Sequence, residues 1–217
     1  MKSSVPAAQA QTTSRRQQRE QTRKRILSAA IDNFSQAGFE ASSLSDIAKQ
    51  AGVKKALVQY HFSTKEQLWQ ESATMIWTER NQELAVFIAD AASDQSSTDP
   101  QSRMRNAFVA VAKFTREKPQ WLWFMFHEGA ANGDRLQWLI DNFIGDDYAQ
   151  GQAFIRDYQS RGLIRPGSPL QMINLISGAL TFNLLVAPQT YRATHKDMAS
   201  EEAISEQVEL LLEMLTP

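Results

Sequence analysis

"SSLSDIAKQAGVKKALVQYHFSTKEQL", Ser42 to Leu68, packs two short amphipathic segments around a single glycine. Ser43 precedes Leu44, Ile47, Ala48 and Ala51, which fall at i, i+3, i+4 and i+7, the spacing of one helix face. Ser43 and Asp46 have nearly the capping-box pattern, with Asp in place of the usual Glu. Gly52 supplies a bend that a Cβ would resist, and Val53, Leu57 and Val58 continue an apolar side on a third short helix ending near Tyr60. Two such helices joined by a tight turn match a helix-turn-helix, whose second helix can enter a major groove while the first packs across it. A core needs only one side of each helix, so the other side of Lys54 to Tyr60 is left over. Lys54 and Lys55 sit where the helix dipole opposes them, at a cost of ~0.3–1 kcal/mol each, which phosphates or base edges would offset. Gln59 can contact adenine bidentately, while Tyr60 and His61 can donate to phosphate or stack on sugar. Leu57 fits either a thymine methyl or the core, and packing is the favoured reading. The same geometry also occurs in helical proteins that touch no nucleic acid.

Outward from this stretch, the pattern is helical throughout. Upstream, Ile26, Leu27, Ala30, Ile31, Phe34 and Ala37 recur at helical spacing and Gly38 marks a stop. Residues 1–19 are polar, rich in Ser, Gln and Thr, and read as a disordered basic arm. Downstream, Thr64 and Gln67 form a capping box that opens a long helix from Lys65 to about Ala91. A loop at 91–100 precedes a helix over 101–117, with Met104, Phe108, Val111, Ala112 and Thr115 inward. Pro119 opens an aromatic-rich helix, and residues 134–161 form a long helical stretch with bends expected at Gly145 or Gly151. The last two helices are expected over Leu170–Ala187 and Ala199–Leu215. No strand pattern and no repeat is visible, so the fold class is all-α.

The chain has 217 residues and a formal net charge of −1, but the charge is unevenly spread. Residues 1–65 hold 11 Lys and Arg against 4 Asp and Glu, whereas residues 66–217 hold 12 against 20. A basic first third suggests that one part meets a polyanion. The absence of cysteine excludes disulfides and cysteine-ligated zinc and fits a cytoplasmic location. The most apolar segment, Leu170 to Val186, carries Gln171, Asn174 and Asn183, so no membrane span and no membrane partner is expected. No secretory signal is seen either.

At this point "TRKRILSAAIDNFSQAGFEASSLSDIAKQAGVKKALVQYHFSTKEQL" resembles the N-terminal domain of the TetR family of bacterial transcriptional regulators. The matching features are an "IL.AA...F...G" first helix, "S.S.IA..AGV" in the second, and the junction His61-Phe62-Ser63-Thr64-Lys65-Glu66-Gln67-Leu68. The resemblance implies a three-helix DNA-binding domain over 20–68, with the helix-turn-helix at 43–62, and a helical effector-binding and dimerisation domain over 69–217. It also implies that Ser43 caps the second helix and touches phosphate, that Ser45 lies beside it, that Lys54 to Tyr60 is the recognition helix, and that Lys65 reaches backbone phosphate. Lys54, Ala56, Leu57, Gln59 and His61 stand where the family more often has other residues, so base contacts do not carry over one by one. The DNA-facing set is Ser43, Ser45, Lys54, Lys55, Ala56, Gln59, Tyr60, His61 and Lys65. Arg15, Arg16 and Arg19 precede it as an arm suited to an adjacent minor groove or as a solubilising tail.

For the remaining two-thirds the resemblance implies a ligand pocket and a dimer interface. "WLWFMFHEG" offers Trp121, Phe124, Met125, His127 and Glu128 as pocket candidates, an apolar wall with a few polar groups; plain core is the competing reading. Leu175, Gly178 and Phe182 in one helix and Val208, Leu211 and Leu212 in the last are candidates for a four-helix interface between two copies. His127 and Glu128 begin an HExxH pattern that fails at Ala131, and with three histidines no metal site is expected. No nucleotide loop, nucleophile elbow or catalytic triad is present, so neither cofactor nor enzymatic activity is expected. The function expected is a DNA-binding transcriptional regulator, a repressor that releases a near-palindromic operator when an effector binds. An enzyme or carrier with a purely structural helix-turn-helix and an effector-free architectural DNA-binding protein are the alternatives.

Overall fold

In the computed structural model of the chain, the described residues are 7–93 and 99–217, with side chains described for 15–86 and 99–217. Their regular elements are all helical: α1 (Ala7–Ala41), α2 (Leu44–Gln50), α3 (Lys55–His61), α4 (Lys65–Ser93), α5 (Pro100–Glu117), α6 (Gln120–Ala131), α7 (Asp134–Leu139), α8 (Gly145–Ser160), α9 (Pro169–Thr194) and α10 (Glu201–Leu215). A π-helical turn, Ile140–Ile144, joins α7 to α8. The chain divides into two compact units between Ile76 and Trp77, inside α4, rather than at Leu68.

The first unit is a small helical domain. Ile26, Leu27, Ala30 and Phe34 of α1, Ile47 and Ala48 of α2, Val58 of α3, Phe62, and Leu68 and Trp69 of α4 are its buried core. Gly38 adopts φ 74° and breaks α1 as expected, and the Ser42 hydroxyl donates to the Gly38 carbonyl at 2.7 Å. Gly52, at φ 65°, ends α2 in a Schellman turn: its N–H donates to the Lys49 carbonyl and that of Val53 to the Ala48 carbonyl at 2.9 Å. One expectation is overturned. From Ala7 the backbone is helical, so residues 7–19 extend α1 instead of forming a disordered arm; residues 1–6 lie outside the described residues. The segment has too few apolar residues to fold alone, but its Ala, Gln and Arg are good helix formers. Lengthening a helix already anchored at Ile26 needs only propagation, not nucleation.

The second unit is a helical bundle. Met104, Phe108 and Ala112 of α5, Ile155 of α8, Met172, Ile176 and Leu180 of α9, and Ile204, Val208, Leu211, Leu212 and Leu215 of α10 form one buried cluster with Ile164. A second packed group is aromatic: Trp77 of α4 stacks on Phe143 at 5.4 Å and meets Phe124 edge-on at 6.5 Å. The expected bend in 134–161 is the π turn just before Gly145. A Cβ on Gly145 would lie 2.9 Å from the Ile140 carbonyl oxygen, a backbone atom that cannot swing away, so the turn requires glycine there. Helix α9 continues through Pro188 to Thr194 rather than stopping at Ala187, with the Thr190 and Thr194 hydroxyls bonded to the Val186 and Thr190 carbonyls.

Candidate nucleic-acid interface

Local capping fixes the helix-turn-helix. The Ser43 hydroxyl accepts from the Asp46 N–H at 3.1 Å and donates to the Asp46 carboxylate at 2.6 Å. At the start of α4, Thr64 accepts from the Gln67 N–H at 2.9 Å, and the Gln67 side chain accepts from the Ser63 N–H at 3.0 Å, a complete reciprocal box. Between these caps α3 keeps Val58 and the following Phe62 fully buried. With that side pinned, Lys54, Lys55, Ala56, Gln59 and Tyr60 all face solvent, as does Ser45 at the start of α2. Tyr60 is 66% exposed, far more than an aromatic ring needs if packing were its only role. Leu57, favoured as a core residue, is 38% exposed and so joins the outer face.

Two expected contacts sit differently. The Lys65 ammonium lies 4.2 Å from the centre of the Phe39 ring and 3.5 Å from the Glu40 carbonyl oxygen, so it is turned onto α1. His61 is half-buried; burial first, then the charges of Arg19 and Arg23, hold its pKa below 6.5, against a smaller opposing pull from Glu20. Arg15, Arg16 and Arg19 are exposed on helical backbone, and the Arg19 guanidinium stands over the Tyr60 ring at 5.6 Å. Arg23, which was not among the candidates, lies over the Phe62 ring at 5.2 Å and pairs with Glu71. Its spacing of four from Arg19 is the signal that could have found it.

Residues 26–71 match the family model for bacterial regulatory proteins of the tetR family. These residues form a TetR-type DNA-binding domain. The HTH-type transcriptional regulator RutR of Escherichia coli strain K12 is 27% identical over 190 residues, covering 86% of this chain and 85% of that one. The negative transcriptional regulator of the icaADBC biofilm operon in Staphylococcus aureus strain Newman, IcaR, is 40% identical over 48 residues, 22% of this chain and 26% of its own. The solved structure of HlyIIR, a hemolysin II transcriptional regulator, superposes with a TM-score of 0.65 at 23% identity over 92% of this chain and 99% of that chain, a likeness of fold. The protein is a helix-turn-helix transcriptional regulator that binds DNA.

In the second unit, several of the aromatic-segment candidates are packed against neighbouring helices. Phe124 packs on Trp77, Glu128 is buried and paired with Arg135 at 3.0 Å, and Trp121 lies under the buried Arg80 guanidinium at 5.1 Å. Arg80 also bonds Asp147 at 2.6 Å. Trp121, Phe124, Met125, His127 and Glu128 do not line an open cleft present in this unit. That cleft, about 590 Å³, is bounded by Leu122 and Trp123 from the same helix, by Leu184, Leu185, Pro188 and Tyr191 of α9, and by Thr115 and Arg116 of α5. Helical periodicity explains the displacement: on α6 only the residues next to the predicted ones face that side. The Thr115 hydroxyl is buried without a hydrogen-bond partner in the protein.

The dimer candidates divide. Leu175 and Phe182 are 62% and 56% exposed, and Gly178 is exposed beside them. Val208, Leu211 and Leu212 are buried in the core of the second unit itself, so they do not form an outer face. The outward apolar residues of α10 are Leu210 and Met214. By length and composition α9 could cross a membrane, and most of its apolar window is not buried within the subunit. Its other side carries Met172, Ile176 and Leu180 into the core, which a bilayer-spanning helix would have to abandon.

Proposed function

We propose that the protein is a homodimeric transcriptional repressor in the cytoplasm. It holds a near-palindromic operator through two copies of α3 and releases it when a small-molecule effector binds the second unit. The observation that carries the reading is the α3 surface: Lys54, Lys55, Gln59 and Tyr60 lie exposed together, while Val58 and Phe62 lock the opposite side. A dimer sets two such helices in successive major grooves, about 34–36 Å apart or at a wider multiple. The exposed apolar side of α9, Leu175 and Phe182 around Gly178, supports self-association, because a patch of this kind is unfavourable in water until a like face covers it. The repressor sense is supported by IcaR, named as a negative regulator.

The effector site best supported is the Thr115–Pro188 cleft. Its volume lies in the range of drug-sized sites, its walls are mostly apolar, and Thr115 offers an unused hydroxyl. An effector that binds the DNA-incompetent form better shifts the population away from the operator, and α4, shared by both units, is the covalent link. No catalytic residue and no cofactor is assigned.

Selection of bound duplexes from a random DNA pool by the purified protein tests this reading. Enrichment of a near-palindrome is the expected result, with log K falling against log salt at a slope of about −5 to −7. Enrichment of no sequence, with a slope near zero, would overturn it.

A further inference from the structure

We propose that the N-terminal part of α1 is a rigid arginine-striped rod that clamps DNA phosphates flanking the segment read by α3; the proposal rests on the DNA-reading role of α3. At 100° per residue, Arg15, Arg16, Arg19 and Arg23 fall within about 100° of one another, on one face of an unbroken helix. The lower half of this stripe is held by the domain itself: Arg23 over Phe62 and paired with Glu71, Arg19 over the Tyr60 ring. Tyr60 belongs to the exposed face of α3, so the stripe runs directly off the DNA-reading surface. Arg15 and Arg16 lie about one turn, roughly 5–6 Å, further along and are exposed. Glu20, the sole acid in residues 1–31, lies about 140° around the wheel from Arg15 and about 40° from Arg16, so it borders the stripe on one edge and leaves the Arg15 edge free of acids. A helix about 10–12 Å across does not fit a minor groove about 6 Å wide. The partner chemistry is therefore the phosphate backbone, bound without base selection, and not the minor-groove floor that a flexible arm would seek.

The test uses the full chain and two duplexes built on the sequence enriched from the random pool, one limited to the core and one extended by about 6 base pairs on each side. Wild type should bind the extended duplex about tenfold more tightly at low salt. The double variant Arg15→Gln, Arg16→Gln should lose that gain, with a salt slope shallower by about 3–4 for the four arginines of a dimer, while preferring the same core sequence. Gln17→Pro keeps every arginine and breaks the helix; it too should lose the gain. If the double variant binds both duplexes as wild type does, the clamp is overturned and core recognition stands. If Gln17→Pro retains the gain, a flexible arm replaces the rod. If the random pool yields no enriched sequence, the DNA-reading role itself fails and the clamp falls with it.

Discussion

Lys55 and Gln59 share the exposed side of α3, but their chemistry differs, and so should the effects of removing them. Lys55 is a point charge without base-edge geometry, so Lys55→Ala should weaken operator binding evenly across sequences. The salt slope should become shallower by about 2 for a dimer, with sedimentation unchanged. An unaltered slope would remove Lys55 from the phosphate contacts. Gln59 carries an amide that can match adenine, so Gln59→Ala should relax preference at one position per half-site by about 1–3 kcal/mol; repeated random-pool selection reads this out directly. His61 adds a pH effect. Its folded pKa lies below 6.5, so the unfolded chain takes up the proton first as pH falls. The His61 contribution is intact above about pH 6.5 and is lost as pH drops through the lower folded value. Nuclear magnetic resonance titration should place its midpoint below 6.5, and Arg19→Gln should move the midpoint upward by removing one of the repelling charges. A midpoint that Arg19→Gln leaves in place would show that Arg19 does not act on the imidazole.

At the scale of elements, the π turn and the cleft wall each hang on one residue. Gly145→Ala forces a Cβ to within 2.9 Å of the Ile140 carbonyl oxygen, so the turn must shift. A loss of about 1–3 kcal/mol in urea unfolding is expected; an unchanged midpoint would mean that the turn relaxes into regular helix at no cost. Thr115→Val keeps the shape but removes a buried hydroxyl that has no partner. Stability should hold or rise slightly, while the concentration of effector needed for operator release should increase several-fold. Equal effector response in the two proteins would detach Thr115 from the site.

For the molecule as a whole, the proposed dimer rests on the exposed apolar face of α9. Leu175→Glu with Phe182→Glu should leave the subunit folded, because neither side chain is in its core, yet shift sedimentation from dimer to monomer at micromolar concentration. A monomeric protein should then bind the operator only weakly, since the two reading heads no longer share one binding event. A variant that sediments like wild type would move the interface elsewhere on the subunit.

Most helix positions, the caps of α2 and α4 and the exposed side of α3 were legible in the local sequence. Ser43, Gly52 and the Thr64–Gln67 box act through backbone groups at most five residues away, and the alternation of Val58 and Phe62 with Lys55 and Gln59 fixes which side of α3 is free. Such information is local, so periodicity and capping rules expose it. Tertiary structure alone decided the rest. Val208, Leu211 and Leu212 are as apolar as Leu175 and Phe182, and only the neighbouring helices determine that the first three are core and the last two surface. Trp121, Phe124 and Glu128 read as a pocket until Trp77, Arg80 and Arg135 fill the space around them. The N-terminal segment, too polar to order itself, is helical because it grows from a helix that the core holds in place. In each case the deciding energy comes from residues distant in sequence, where a pattern on one helix carries no information about what will cover it.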